Sequence, residues 1–134
     1  MPAIPISPLL FSTAFLLALP AAHAATPAEL LDAWRAEAGA PADAARGRAL
    51  FTGEHGGDWR CTTCHGDPPN ASGRHAVTGK PIDPLAPAAN GERFTDAARA
   101  EKWMRRNCRD VLDRECSAQE KADVLAWLLT VPAR

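Results

Sequence analysis

Between Gly66 and Gly91 the chain carries Pro68, Pro69, Pro81, Pro84 and Pro87 and almost no apolar periodicity. Proline fixes φ and removes a backbone donor, so a stretch of this density supports neither a helix nor a sheet ladder. An irregular run of about twenty-five residues is foreign to a small domain unless it wraps around another body. The flanking segments read as helices. Thr26-Pro27-Ala28-Glu29 pairs a cap, a first-turn proline and a capping-box glutamate, with Leu30, Leu31 and Trp34 on one face before Gly39 ends the run. A second helix is expected over Asp43 to Phe51, followed by a glycine-rich loop from Gly53 to Arg60. Thr95 is placed to cap a helix running to about Asn107. Ser117-Ala118-Gln119-Glu120 opens a last one, to about Leu129, whose apolar face holds Val124, Leu125, Trp127, Leu128 and the Lys121 stem. No strand pattern is present. The pattern is all-α, with a core too thin for about 110 residues unless something else fills it.

The 134 residues suit one domain, and 15 basic against 16 acidic side chains leave a formal charge of −1, which removes any reason to expect nucleic-acid binding. Residues 1–24 read as a cleaved signal peptide. Leu9 to Leu19 is an apolar run, Pro20 ends it, and Ala22-His23-Ala24 is a small-x-small cleavage site. The run is short for a membrane span, which needs about twenty apolar residues. The segment lacks Lys and Arg, unlike most signal peptides. The expected mature domain is 25–134, and the expected location is the periplasm, where free thiols are a liability. Four cysteines remain there, as Cys61/Cys64 and Cys108/Cys116.

Cys61-Thr62-Thr63-Cys64-His65 is C-x-x-C-H, the haem c attachment pattern. Two thiols three positions apart on one helical turn can add to the two vinyl groups of a porphyrin, and the next residue then lies under the ring with an imidazole nitrogen at the iron. A thioredoxin-like pair would need a βαβ context that is missing. A zinc site built from all four cysteines would need closer spacing than the eight residues between Cys108 and Cys116. A plain Cys61–Cys64 disulfide leaves His65 unexplained. One covalent haem c, held by Cys61 and Cys64 with His65 as proximal ligand, is the expectation. Gly47 and Phe51, four apart on one face, then suit a close crossing with the helix that bears Trp127, as the terminal helices of class I cytochromes c cross.

The sixth ligand is the open question. Met104 lies within a predicted helix, and Asn107, three residues on, shares its face. His55 and His75 sit in loops. Asn107 equally suits the cap at the end of its helix.

Longer stretches carry a resemblance. Gly39-Ala40-Pro41-Ala42-Asp43, Arg46-Gly47-Arg48-Ala49-Leu50-Phe51 and Cys61 through Gly66 resemble the sphaeroides haem protein family. So do Thr78-Gly79-Lys80, Pro84-Leu85-Ala86-Pro87, Arg93-Phe94-Thr95-Asp96, Glu101-Lys102-Trp103, Arg106-Asn107-Cys108, Lys121-Ala122-Asp123 and Leu125-Ala126-Trp127-Leu128. The resemblance spans nearly the whole of 25–134. It implies a class I cytochrome c fold of four to five helices around one haem, Asn107 as distal ligand and metal-site residue beside His65, and a Cys108–Cys116 disulfide. It also implies a high-spin ferric iron, release of Asn107 on reduction so that oxygen or nitric oxide binds, and a dihaem cytochrome c as redox partner. Met104 stands where the family has an ordinary apolar residue, and a thioether there is a rival donor that would make the chain a simple electron carrier. The distal segment offers no general acid beyond exposed charged residues, which argues for modest catalysis on oxygen or nitric oxide. Arg105, Arg106, Arg109 and Arg114 cluster near it, either steering an anionic partner or forming a solvated face among Asp110, Asp113 and Glu115. Lys80, Arg74 and Arg93 are candidates for the haem propionates.

Overall fold

A computed structural model describes residues 25–134, so the expected signal peptide lies outside the described residues. Five helices follow in order: α1 (Pro27–Ala38), α2 (Ala44–Thr52), α3 (Cys61–His65), α4 (Ala97–Leu112) and α5 (Ala118–Leu128). α1 begins with the predicted capping box, Thr26 against Glu29, and stops at Gly39, whose φ of 67° is left-handed. α5 begins with the other, Ser117 against Glu120. α2 is capped by the Asp43 carboxylate, which accepts the Ala45 and Arg46 N–H groups.

α5 is the central element, with α2 and α1 both packed closely along it. The α2 crossing is tightest at Gly47, where an added Cβ would lie 1.9 Å from the Asp123 carbonyl oxygen. Phe51, one turn on, meets Trp127 with ring centroids 4.9 Å apart. Asp123, only 4 % exposed, ties the crossing together. Its carboxylate accepts from the Asp43 N–H at 2.6 Å, from Arg46 Nε at 2.8 Å and from Gln119 at 2.8 Å. Burial pushes its pKa up, but these donors outweigh that and hold it below the usual value.

On the other side, Leu30 and Trp34 of α1 bury against Ala122 and Leu125 of α5 and Ala100 of α4. α4 makes little close backbone approach to the other helices and is fastened by side chains instead. Glu101 accepts from Lys121 Nζ at 2.8 and 3.1 Å and from the Trp34 indole N–H. Lys121 is buried and lies 5.4 Å over the Trp34 ring.

Two expectations are corrected. Gly73–Arg74 and Pro81–Ile82 form a minimal antiparallel ladder (β1 and β2), with Gly73 opposite Ile82, so the proline-rich segment is not wholly irregular. The prolines fall outside or at the first position of each two-residue strand, where a missing donor costs little. The α4 limits also differ from those predicted. Asp96, not Thr95, is the cap, because the Thr95 hydroxyl is already donating to the Glu92 carbonyl at 2.9 Å. The helix then continues five residues past Asn107, since nothing in Cys108–Leu112 breaks it, and ends at Asp113 with φ 56°. The rest of the proline-rich segment is drawn inward: Leu85 and Ala86 N–H groups both donate to the Pro69 carbonyl at 3.0 Å, and Ala86 is fully buried.

Gly47→Ala weighs two opposed effects. Helix propensity favours alanine by about 1 kcal/mol, whereas forcing a methyl into a backbone oxygen costs about 2 to 3 kcal/mol or more. The clash wins, and the haem-loaded variant should unfold at a clearly lower denaturant concentration than the parent.

Candidate functional site

α3 is a single turn that exists to present three side chains. Its cap is reinforced by the Arg60 N–H, which donates to the Thr63 hydroxyl at 3.1 Å, and Gly66 ends it with φ 73°. Cys61, Cys64 and His65 are therefore brought together, with both thiols free. The turn is hemmed in from the loop side by Gly73, where a Cβ would stand 1.9 Å from the Cys64 carbonyl oxygen. Only glycine lets β1 approach that closely, and no local sequence signal announced it. On the core side, Phe51 lies 6.1 Å from the His65 ring.

All three side chains are half-buried. Burial, and secondarily the Arg93 charge, lower the His65 pKa to about 4, so the imidazole is neutral and able to ligate a metal at neutral pH. Burial raises the Cys61 thiol to about 11, with the neighbouring Cys64 adding to it, so the thiol stays protonated. Arg93 is itself half-buried and held by carbonyls, donating from Nε to Pro84 at 2.9 Å and from Nη2 to Asp83 at 2.7 Å. Of the three propionate candidates it is the one whose charge is felt at His65. Arg74 and Lys80 are exposed on the β-turn.

The distal candidates sort clearly. Asn107 is partly buried, and its side-chain amide takes part in no hydrogen bond among the described residues. The helix continues past it and Asp113 closes the end, so the capping role that would have explained Asn107 locally belongs to another residue. Met104 packs against both buried clusters, the one that holds Phe51, Trp127 and Leu128 and the one that holds Leu30, Trp34 and Leu125. Cys61 packs on the first of these clusters too, so α3 and the inner face of α4 share one core. His55 Nε2 is bonded to the Leu50 carbonyl at 2.8 Å and lines a cleft of about 420 Å³ with Gly56, Gly57 and the last turn of α4. His75 Nδ1 accepts the Val77 and Thr78 N–H groups at 3.2 and 3.3 Å, organising a turn.

Just beyond Asn107, Cys108 and Cys116 are disulfide-bonded with Cα atoms 5.6 Å apart, as the resemblance implied. Closing a loop of about nine residues contributes roughly 2.5 to 3 kcal/mol in the chain-entropy model. The same turn is braced by Arg109 on Glu115 and by Arg114, which grips Glu120 through two donors at 2.6 and 2.8 Å. The bridge also removes the second cysteine pair from any zinc site, and no three His, Cys, Asp or Glu side chains come together as a metal cage among the described residues.

A mostly helical domain with a C-x-x-C-H turn at its centre defines a c-type cytochrome. Its matches with known proteins agree. A family model described as "Domain of unknown function (DUF1924)" matches residues 37–128. The chain is 54% identical over 107 residues to the cytochrome c-type protein SHP of Cereibacter sphaeroides, covering 77% of this chain and 82% of that protein. It is 42% identical over 80 residues to cytochrome c'' of Methylophilus methylotrophus, covering 60% and 56% respectively. The solved structure of oxidised SHP, an oxygen-binding cytochrome c, superposes with a TM-score of 0.68 at 53% identity over 78% of this chain and 96% of that one. The crystal structure of oxidised cytochrome c'' gives 0.65 at 33% identity, over 78% and 93%. The chain belongs to the sphaeroides haem protein family. A covalent haem c with its iron is thereby implied, and two thiols outside any disulfide on one turn beside a half-buried neutral imidazole fit it.

The Arg114–Glu120 brace has a pH signature. The hydrogen bond from Arg114 depresses the Glu120 carboxyl first; burial opposes it, and Ser117 adds to the depression, leaving a pKa of about 2. A carboxyl depressed in the folded state stabilises fully above its unfolded value of about 4.3, and that stabilisation is lost as pH falls towards the folded value. The stability gap between the parent and Arg114→Ala, read by urea unfolding, should be constant near neutrality and shrink between about pH 4.3 and 2.

Proposed function

We propose that this chain is an exported, periplasmic monohaem cytochrome c that accepts one electron, from a donor such as a dihaem cytochrome c, and binds a diatomic molecule at ferrous haem. In this reading Cys61 and Cys64 hold the haem through thioethers, His65 is the proximal ligand and Asn107 a labile distal one. The observation that carries it is the uncommitted amide of Asn107, on a helix that shares a core with α3 and does not end there. The rival loop histidines are engaged elsewhere, and Met104 is occupied as packing.

When bound, haem supplies one-electron chemistry and, as ferrous iron, affinity for oxygen or nitric oxide. The chain's own contributions follow from donor type. His65, neutral and half-buried beside Phe51, would offer an imidazole nitrogen. Asn107 offers an amide oxygen, a hard neutral donor that competes poorly for ferrous iron. Away from the iron, its N–H2 group would be available to donate to a diatomic guest. The Cys108–Cys116 bridge anchors the backbone immediately after Asn107, so that the side chain moves while the helix stays. Phe51 of the buried core beside His65 would present an apolar surface next to the group that His65 holds.

Absorption spectra of the haem-loaded protein test this directly. A broad ferrous band that shifts at once with carbon monoxide is expected, and Met104→Leu should leave it unchanged. A sharp, split ferrous spectrum indifferent to carbon monoxide would instead make the chain an electron carrier closed by Met104 or a histidine. Asn107→Ala should speed azide or imidazole binding to the ferric protein by at least about tenfold, the effect of losing about 1.4 kcal/mol of ligation. An unaltered rate would remove Asn107 from the iron.

The bridge can be examined separately. Carbon monoxide association in the Cys108→Ser/Cys116→Ser variant should differ from that of the parent, because the segment that carries the swinging amide is loosened. Equal kinetics would leave the disulfide a purely stabilising role.

A further inference from the structure

We infer that the outward face of α4 is a docking surface for an acidic electron-donor protein, an inference that rests on the reading that this chain receives an electron. α4 carries Arg99, Lys102, Arg105, Arg106 and Arg109 against only Glu101 and Asp110. Their fates differ in a way that the sequence did not reveal. Arg109 pairs with Glu115 and Arg114, beyond the helix, holds Glu120, while Arg105 reaches the same Glu115 carboxylate only loosely at 3.9 Å, so all but Arg106 of the four clustered arginines face a carboxylate. Arg99 keeps a loose, exposed pairing with Asp96 at 3.8 Å. Lys102 and Arg106 are exposed and meet no carboxylate among the described residues.

At about 100° per residue, Lys102, Arg106 and Arg99 form one strip on the side of α4 opposite Met104 and the core. Trp103, 45% exposed, lies at the margin of that strip, and the Arg106 guanidinium sits 5.6 Å from its ring centre. Asp110 bounds the strip at its C-terminal end. Trp103 in turn lies about 40° around the helix from Asn107, so the strip borders the distal residue without including it.

The chemistry of the partner follows from the charges. The whole chain is formally −1, so its bulk charge does not draw in an acidic protein. Attraction must come from a local, unneutralised field, and Lys102 and Arg106 supply one. An arginine stacked on an exposed tryptophan adds the kind of flat, amphipathic contact that interfaces favour at their centres. A donor seated here delivers its electron beside the helix that bears Asn107. One electron leaves the donor and reduces the ferric centre, and no bond is made or broken.

The test uses the haem-loaded protein and reduced flavodoxin, a small acidic electron carrier, as the probe. Reduction is followed by stopped flow over a range of salt concentrations, with neutral photoreduced lumiflavin as the uncharged comparison. Lys102→Glu/Arg106→Glu should lower the second-order rate with flavodoxin by at least about tenfold at low ionic strength, and the gap should close by about 0.5 M salt. The rate with lumiflavin and the visible spectra should not move. Arg35→Glu/Arg48→Glu, an equal charge change on exposed positions of α1 and α2, should have a much smaller effect. An equal loss in that control, no loss in the α4 variant, or a loss with lumiflavin as well would overturn the inference. So would sedimentation showing that the strip joins two copies of this chain. Electron arrival is read whatever occupies the sixth position, so a spectrum inert to carbon monoxide would retire the diatomic-binding function and leave this result standing.

Discussion

The crossing of α2 and α5 at Gly47 is the constraint on which the rest depends. A helix can touch another's backbone only where no side chain intervenes, and Gly47 places α2 against the Asp123 carbonyl. That contact sets Phe51 against Trp127 and, through Phe51, locates His65 at the end of α3. Asp123 secures the same crossing from inside, because a buried carboxylate must find donors and finds them on Asp43, Arg46 and Gln119. One residue position thus couples the helix pair to the orientation of the proposed proximal ligand.

α4 is held by different means, and the difference suits its proposed role. It has few close backbone contacts and is pinned at two places, by Glu101 to Lys121 and Trp34, and by the Cys108–Cys116 bridge. Burial raises the Glu101 pKa, but Lys121, Trp34 and Arg105 together bring it below the usual value, so the clamp stays ionised at neutral pH. Met104 and Asn107 lie between the two pins. Between the pins Met104 packs into the core while Asn107 is only half-buried, a placement that suits a side chain that must engage and leave.

Much of the architecture was legible because the signals are local. The Thr26/Glu29 and Ser117/Glu120 capping boxes, Gly39, and the buried stem of Lys121 all appeared where the sequence placed them. The misplaced limits of α4 have a local cause as well: Thr95 and Asp96 are both good caps, and only the Thr95 hydroxyl's bond to Glu92 decides between them. The small ladder between Gly73–Arg74 and Pro81–Ile82 escaped notice because two-residue strands leave no period to read.

By itself the sequence determined the helices, the thiol–thiol–imidazole turn and the family, since each rests on residues within a few positions of one another or on a long shared pattern. Only the tertiary structure decided which side chains are committed. Trp34 to Glu101, Asp43 to Asp123 and Asn70 to Pro132 join positions more than sixty residues apart, which no local pattern encodes. Nor does any local pattern encode Gly73 lying against Cys64, the division of paired from unpaired cations on α4, or the amide of Asn107 remaining without a partner among the described residues. Commitment is a matter of distance in space, and folding alone supplies it.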